Sequence, residues 1–188
     1  YFSTMNPTYR ILPATPAEYK TIREIAHATW PDTFGAILSG AQIDYMLNMM
    51  YNVEELVKQA ANGVVFKLLI EADQVNESLS QNYLKGRATR FTPVGYVGYQ
   101  PDYLPNTTKI HKLYLLPSTQ GKGYGKALIN DVAMIASKAG QGILRLDVNY
   151  QNKAIGFYEH LGFKKIERCN TDIGNGYLME DWIMEMEL

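Results

Sequence analysis

Residues 110–128 read Ile110-His111-Lys112-Leu113-Tyr114-Leu115-Leu116-Pro117-Ser118-Thr119-Gln120-Gly121-Lys122-Gly123-Tyr124-Gly125-Lys126-Ala127-Leu128. An alternating segment runs into a glycine-rich turn, and the turn runs into a helix. From the turn onward Leu128, Ile129, Val132, Ile135, Ala136 and Ala139 recur at helical spacing, and Gly140 and Gly142 end the run. Before the turn, Lys109 to Leu116 alternates as a strand with one slip. Ile110 is in phase with Lys112, whereas the apolar phase resumes at Leu113 and Leu115. Such a slip is how a β-bulge shows in sequence, and a bulge splays a strand from its neighbour and opens a cleft. Leu144, Leu146 and Val148 then alternate with Arg145 and Asp147 as the next strand. Strand, helix and strand in close succession predict a parallel crossover.

Working outward, Tyr9-Arg10-Ile11-Leu12 reads as a first strand ended by Pro13, and Thr15-Pro16-Ala17-Glu18 as a capping box. Tyr19, Ile22, Ile25 and Ala26 form a helical stripe, which Trp30-Pro31-Asp32 is expected to break. Ser39 and Asn52 open two more helices. Ile43, Met46, Leu47 and Met50 mark the first; Val53, Leu56, Val57 and Ala60 mark the second, with Gly63 as its C-cap. Val64, Phe66, Leu68 and Ile70 alternate as a strand, residues 74–90 read as a long solvated connection, and Val94 to Tyr99 is a strand. Asn152 caps a short helix through His160, Gly162 breaks it, and Phe163 to Cys169 is a strand ending at the cysteine. In the last segment Leu178, Trp182, Met184, Met186 and Leu188 share one parity. The order is β, three helices, ββ, β-α-β-α, ββ. It predicts an α/β fold: a mixed, mostly antiparallel twisted sheet flanked by helices, with a bulged strand and a central parallel β-α-β unit.

With 188 residues, 46% hydrophobic and 20% charged, the chain fits one globular domain over residues 9–188, with residues 1–8 as a tail. Eighteen basic against nineteen acidic residues leave no excess charge for nucleic acid. No apolar run approaches the ~20 residues of a membrane span, and no secretory leader is evident. A single cysteine, Cys169, fits a reducing, cytoplasmic setting and is read as structural. Three scattered histidines give no metal-ligand spacing, so no metal is expected. A homodimer is compatible with these features.

The glycine run lies where a helix start leaves backbone N–H groups unpaired and favours an anion, and Lys122 and Lys126 add charge. It is not a P-loop: Ala127 follows Gly125-Lys126, and Gln120 stands five before Gly125. Nor is it a dinucleotide fingerprint, because Lys126 stands three after Gly123. By itself the run fits a phosphate cradle or a flexible turn.

Gln120-Gly121-Lys122-Gly123-Tyr124-Gly125 resembles the Gln/Arg-x-x-Gly-x-Gly/Ala signature of the GCN5-related N-acetyltransferases. Leu146-Asp147-Val148-Asn149, with Asn152 to Phe163, is similar to that family's second signature: an Asn, an Ala, a Phe-Tyr pair and a Gly-Phe. The resemblance implies the fold of that family, acetyl-CoA as co-substrate and transfer of acetyl directly to a primary amine. Ala28 to Phe34, the helices around Gln42 to Leu56, and Met179 to Met184 further resemble bacterial spermidine/polyamine acetyltransferases, which implies a small-molecule amine as partner. A protein α-amine, an aminoglycoside, or a silent acyl-CoA-binding module are the alternatives.

The resemblance also implies roles. Tyr158 would protonate the departing thiolate, since a phenol stays protonated at neutral pH. The backbone of Leu113, Tyr114 and Leu115 would pair with the pantetheine amides. Gln120, Gly121, Lys122, Gly123, Tyr124, Gly125 and Lys126 would hold the pyrophosphate, and Asn152 would bond the cofactor while capping its helix. His111 stands where many members carry a Glu base, and an imidazole is a credible substitute. Trp30, Asp32 and Phe34 would line the acceptor side, with Glu180 or Asp181 attracting a cationic amine.

Overall fold

The computed structural model of this chain describes residues 9–72 and 91–188; the expected tail 1–8 and the connection over 74–90 lie outside the described residues. β1 (Tyr9–Pro13) leads into the capping box: Thr15 Oγ1 accepts from Ala17 N, and the Glu18 carboxylate accepts from Thr15 N at 2.7 Å. A single 3-10 turn then passes into α1 (Tyr19–Phe34).

α1 corrects one expectation, because the helix runs through Pro31 to Phe34. Pro31 removes one N–H near the end of the helix, where few bonds remain to be lost. Trp30 and Phe34 are buried with ring centroids 4.7 Å apart, and Gly35 N closes on Pro31 O at 2.9 Å, so packing carries the last turn past the proline.

α2 (Gly40–Tyr51) and α3 (Val53–Ala61) meet at Asn52. Its amide donates to Asn48 O at 2.7 Å in the last turn of α2, and its Oδ1 accepts from Glu55 N at 2.8 Å in the first turn of α3. One side chain thus satisfies both helix ends. Asn52→Ala is expected to cost about 1 kcal/mol of stability, readable as a lower urea midpoint with an unchanged m-value.

β2 (Val65–Ala72), β3 (Phe91–Leu104) and β4 (Thr107–Leu115) continue the sheet antiparallel from β1. α4 (Tyr124–Lys138) crosses over to β5 (Ile143–Asn149), which pairs parallel to β4. α5 (Ile155–His160) precedes the hairpin of β6 (Lys164–Gly174) and β7 (Tyr177–Glu187). The order across the seven strands is β1-β2-β3-β4-β5-β7-β6. The expected α/β architecture, mostly antiparallel with one parallel β-α-β unit, is the one observed. β6 runs on to Gly174, so Cys169 lies within a strand and not at its end. Gly174-Asn175-Gly176 turns the hairpin with all three φ positive, a route that glycine and asparagine tolerate.

Two cores sandwich the sheet. Ile22, Trp30, Leu47, Tyr51 and Leu56 of the first three helices pack on Phe66 and Tyr96. Leu128, Ile129 and Val132 of α4 pack on Val97, Leu144, Leu146 and Met184. Of the last segment, Trp182, Met184 and Met186 face the α4 core, while Leu178 and Leu188 are exposed.

The bulge falls in β4. Lys112 is opposite Gly98 and Ile110 opposite Tyr99, which leaves His111 as the extra residue. Pairing of β4 with β5 stops at the same place: it runs from Thr107–Ile143 to Ile110–Leu146 and no further. Beyond it the two strands part.

Candidate active site

A cleft of about 1210 Å³ fills the gap between the parted strands. Its walls are the second half of β4, the glycine turn, the start of α5, the end of α1 and the β7 strand.

The glycine-turn end of the cleft is built from backbone. Gly121 and Gly123 have φ of 80° and 77°, and Gly123 is the left-handed N-cap of α4. The first helical bond is Ala127 N to Gly123 O. The N–H groups of Gly121, Gly123, Tyr124, Gly125 and Lys126 therefore have no acceptor among the described residues. Unpaired donors at a helix N-terminus suit a phosphate group. Gly125 answers a different need: a Cβ there would lie 3.1 Å from the Phe157 ring, so glycine lets α4 and α5 approach. Gln120 and Lys126 line the cleft. Lys122 does not. Its ammonium pairs with Glu71 on β2 at 2.7 Å, and the Tyr124 hydroxyl donates to the same carboxylate at 2.7 Å. Burial pushes the Glu71 carboxyl up, but these two bonds outweigh it and leave its pKa below the ordinary value. Lys122 thus anchors the turn to the sheet.

On the strand side, Leu113, Tyr114 and Leu115 line the cleft, and β4 has no strand partner there on its β5 side among the described residues. An extended ligand can pair with such an edge as an added strand. These features together fit a long ligand with an amide-bearing arm and a diphosphate, as acetyl-CoA has.

Tyr158 reaches the cleft from α5, packed against Phe157 and Phe163 at 5.3 and 5.8 Å. Burial pushes its phenol up to about 12, so it is protonated across the neutral range. Its hydroxyl bonds to no group among the described residues, which leaves the proton available. Asn152 also lines the cleft, and its Oδ1 accepts from Ala154 N at 2.8 Å, fixing the turn that starts α5.

His111 is placed less favourably. As the bulged residue it lines the cleft, but its Nε2 lies 3.0 Å from Gln100 Oε1 and its ring sits edge-on to Tyr103. The residue is exposed by area, yet enclosure of the ring, then the charges of Lys109 and Lys112, lower its pKa to about 4. It is neutral at pH 7 and a weak proton acceptor.

The wall formed by the end of α1 is aromatic. Trp30 contacts Phe34, Tyr51 and Tyr114 at 4.7, 5.6 and 5.9 Å between centroids. Asp32 lines the cleft from the exposed face of α1, and Asp181 lines it from β7. Glu180 is not part of the wall, and its carbonyl accepts from Tyr150 N at 3.1 Å. The β6–β7 hairpin is fixed to α2: Tyr45 Oη donates to Ile173 O at 2.7 Å, and Gln42 Nε2 to Leu178 O at 3.2 Å.

Three cleft residues were not singled out from sequence. Tyr51, at the end of α2, completes the aromatic wall. Lys112 is buried, with its ammonium 4.6 Å above the Tyr51 ring; burial lowers its pKa to about 8, against a smaller opposing effect of Glu55. Asp147, one residue past the last β4–β5 pair, forms an ion pair with Lys109 at 2.5 Å. The lysine's break in the apolar phase of β4 was the available signal for Lys112.

Comparison with known proteins agrees with this fold. The chain is 29% identical over 164 residues to the spermidine N(1)-acetyltransferase of Thermoplasma acidophilum, covering 87% of this chain and 90% of that one. It is 40% identical over 81 residues to the uncharacterized N-acetyltransferase MJ1207 of Methanocaldococcus jannaschii, covering 40% of this chain and about a third (36%) of that protein's length. The fold is similar to that of the Thermoplasma acidophilum PaiA N-acetyltransferase, crystallised with coenzyme A, at a TM-score of 0.72, 24% identity and coverage of 96% and 99%. A match to the acetyltransferase (GNAT) family over residues 49–163 takes in the bulged strand, the glycine turn and Tyr158, and the chain belongs to that family.

Proposed function

We propose that this chain transfers the acetyl group of acetyl-CoA directly to a primary amine of a small molecule, of the polyamine class. The observation that carries the reading is the conjunction of free amides at Gly123–Lys126, an unpaired β4 edge and the Tyr158 hydroxyl in one cleft. When bound, acetyl-CoA supplies an acetyl group activated by a thiol leaving group. The glycine turn binds its diphosphate, the β4 backbone aligns its arm, and Tyr158 delivers a proton to the sulfur. Holding the two reactants together supplies much of the acceleration. A phenol with a free proton favours an enzyme over a silent binding module.

The amine class is supported by the relative named for spermidine, by the aromatic wall and by two carboxylates on the acceptor side. Aromatic faces and carboxylates both attract alkylammonium groups. The one unpaired cysteine is in keeping with a cytoplasmic enzyme.

Thiol release from acetyl-CoA across spermidine, spermine, diamines, monoamines, amino acids and peptides tests the assignment, with polyamines expected as the fastest acceptors. Asp32 stands at the exposed rim, where a second ammonium of a polyamine would lie. Asp32→Asn is expected to raise KM for spermidine several-fold while changing that for a monoamine less, with the difference shrinking as salt is added. Equal changes for both amines would remove Asp32 from recognition of the second charge.

A further inference from the structure

Acetyl transfer to an amine needs a group that takes a proton from the incoming ammonium, and the cleft narrows the choice. Three carboxylates and one imidazole line it: Asp32, Asp147, Asp181 and His111. Asp147 is held by the Lys109 ammonium at 2.5 Å. His111 is engaged by Gln100 and turned against Tyr103. Asp32 lies on the exposed face of α1, in solvent. Asp181 differs from all three. It is half-buried, and its carboxylate forms no hydrogen bond or ion pair among the described residues. It sits on β7, the strand next to the sheet edge, opposite Asn149 at the last rung with β5 and Cys169 of β6. Its charge is close enough to Tyr114, on the far wall, to raise that phenol's pKa.

We propose that Asp181, and not His111, accepts the proton that frees the amine for attack; this rests on the acetyl-transfer reading above. The ammonium gives one N–H proton to the Asp181 carboxylate. The nitrogen then bonds to the acetyl carbonyl carbon as the carbon–sulfur bond breaks. The sulfur takes the Tyr158 proton, and the nitrogen's second proton, lost as the amide forms, restores the phenol. Asp181 passes its proton to solvent, so that ammonium and thioester become amide, thiol and one released proton.

The charged groups facing Asp181 are Asp147 from β5, Lys109 from β4, Arg168 from β6 and Glu180 beside it on β7, with the Tyr114 phenol opposite. Burial, then Asp147, raise its pKa from 3.8 to about 6, while Lys109 and Arg168 oppose them. The carboxyl is still ionised at neutral pH, yet more basic than an ordinary aspartate. Below its pKa it is protonated and cannot accept, so activity falls as pH falls.

The test is kcat/KM for spermidine from mildly acidic to mildly alkaline pH, in the wild type, Asp181→Asn, Asp181→Glu and His111→Gln. Acetyl-CoA affinity and thermal melting are recorded for each. The wild type is expected to rise through pH about 6. Asp181→Asn is expected to lose that limb and about 10²–10⁴-fold in rate, with acetyl-CoA affinity nearly unchanged. Asp181→Glu should keep the limb at a reduced rate. An Asp181→Asn enzyme that keeps both rate and limb overturns the assignment, as does a limb that vanishes only in His111→Gln. If Asp181→Asn does not fold, an Asp181→Glu profile with no acid limb overturns it equally. A wild type that binds acetyl-CoA but releases no thiol with any amine overturns the acetyl-transfer reading itself.

Discussion

Tyr158→Phe is expected to lower turnover by about 10²–10⁴-fold and leave acetyl-CoA affinity nearly unchanged. The substitution keeps the ring, and the ring is what packs: Tyr158 contacts Phe157 and Phe163 and belongs to the α4-side core. Only the hydroxyl is lost. Because that hydroxyl bonds to nothing among the described residues, its removal leaves no partner unsatisfied, and the melting temperature should hardly move. The missing proton matters at one moment, when the thiolate leaves. A pKa pushed up to about 12 keeps the phenol protonated over the working range, and a thiolate, of ordinary pKa near 8.5, is protonated more readily by such a donor than by water. The loss should therefore fall on kcat, with single-turnover rates reduced in proportion and calorimetric affinity for acetyl-CoA preserved. Wild-type turnover in the folded variant would assign the proton to another group.

Periodicity made most of this legible in the sequence. The order of elements, the parallel crossover and the bulge at the Ile110–Lys112 slip could all be read because each has a local cause. Where expectation and structure part, the deciding contact is distant. The proline rule ends α1 at Trp30, but burial of Trp30 against Tyr51 and Tyr114 holds the last turn. The glycine run marks the proposed anion site through its own backbone, whereas Lys122 is drawn off by Glu71, a partner 51 residues away that local pattern does not reveal. His111 occupies the expected position, yet its basicity is set by Lys109, Lys112 and enclosure. Asp181 was legible as an acidic residue expected, with Glu180 as the alternative, to attract a cationic amine. That it is half-buried, unpaired and beside Asp147 follows from the β5–β7 register, which brings two strands together across α5 and β6.

Gly123→Val is expected to weaken acetyl-CoA binding by about 10- to 100-fold. Gly123 sits at φ 77° as the N-cap of α4, a conformation that costs an L-residue about 1–2 kcal/mol and a β-branched one more. A Cβ at this position meets nothing within 4 Å, so the folded protein has room for it and the core is untouched. That open space is the proposed diphosphate site. A valine would place methyl groups over the amides of Tyr124 and Gly125, and would press the turn toward negative φ, which swings those N–H groups out of convergence. Both effects act on ligand binding, and the strain is confined to a turn held by Lys122 and Tyr124 on Glu71. Melting should therefore drop by a few degrees in the absence of ligand. The larger change should appear when acetyl-CoA is added, because the stabilisation a ligand gives falls as its Kd rises. Gly123→Ala, with the strain but less bulk, should lie between the two. Calorimetry that finds unchanged affinity in a folded Gly123→Val protein would remove the glycine turn as the diphosphate site.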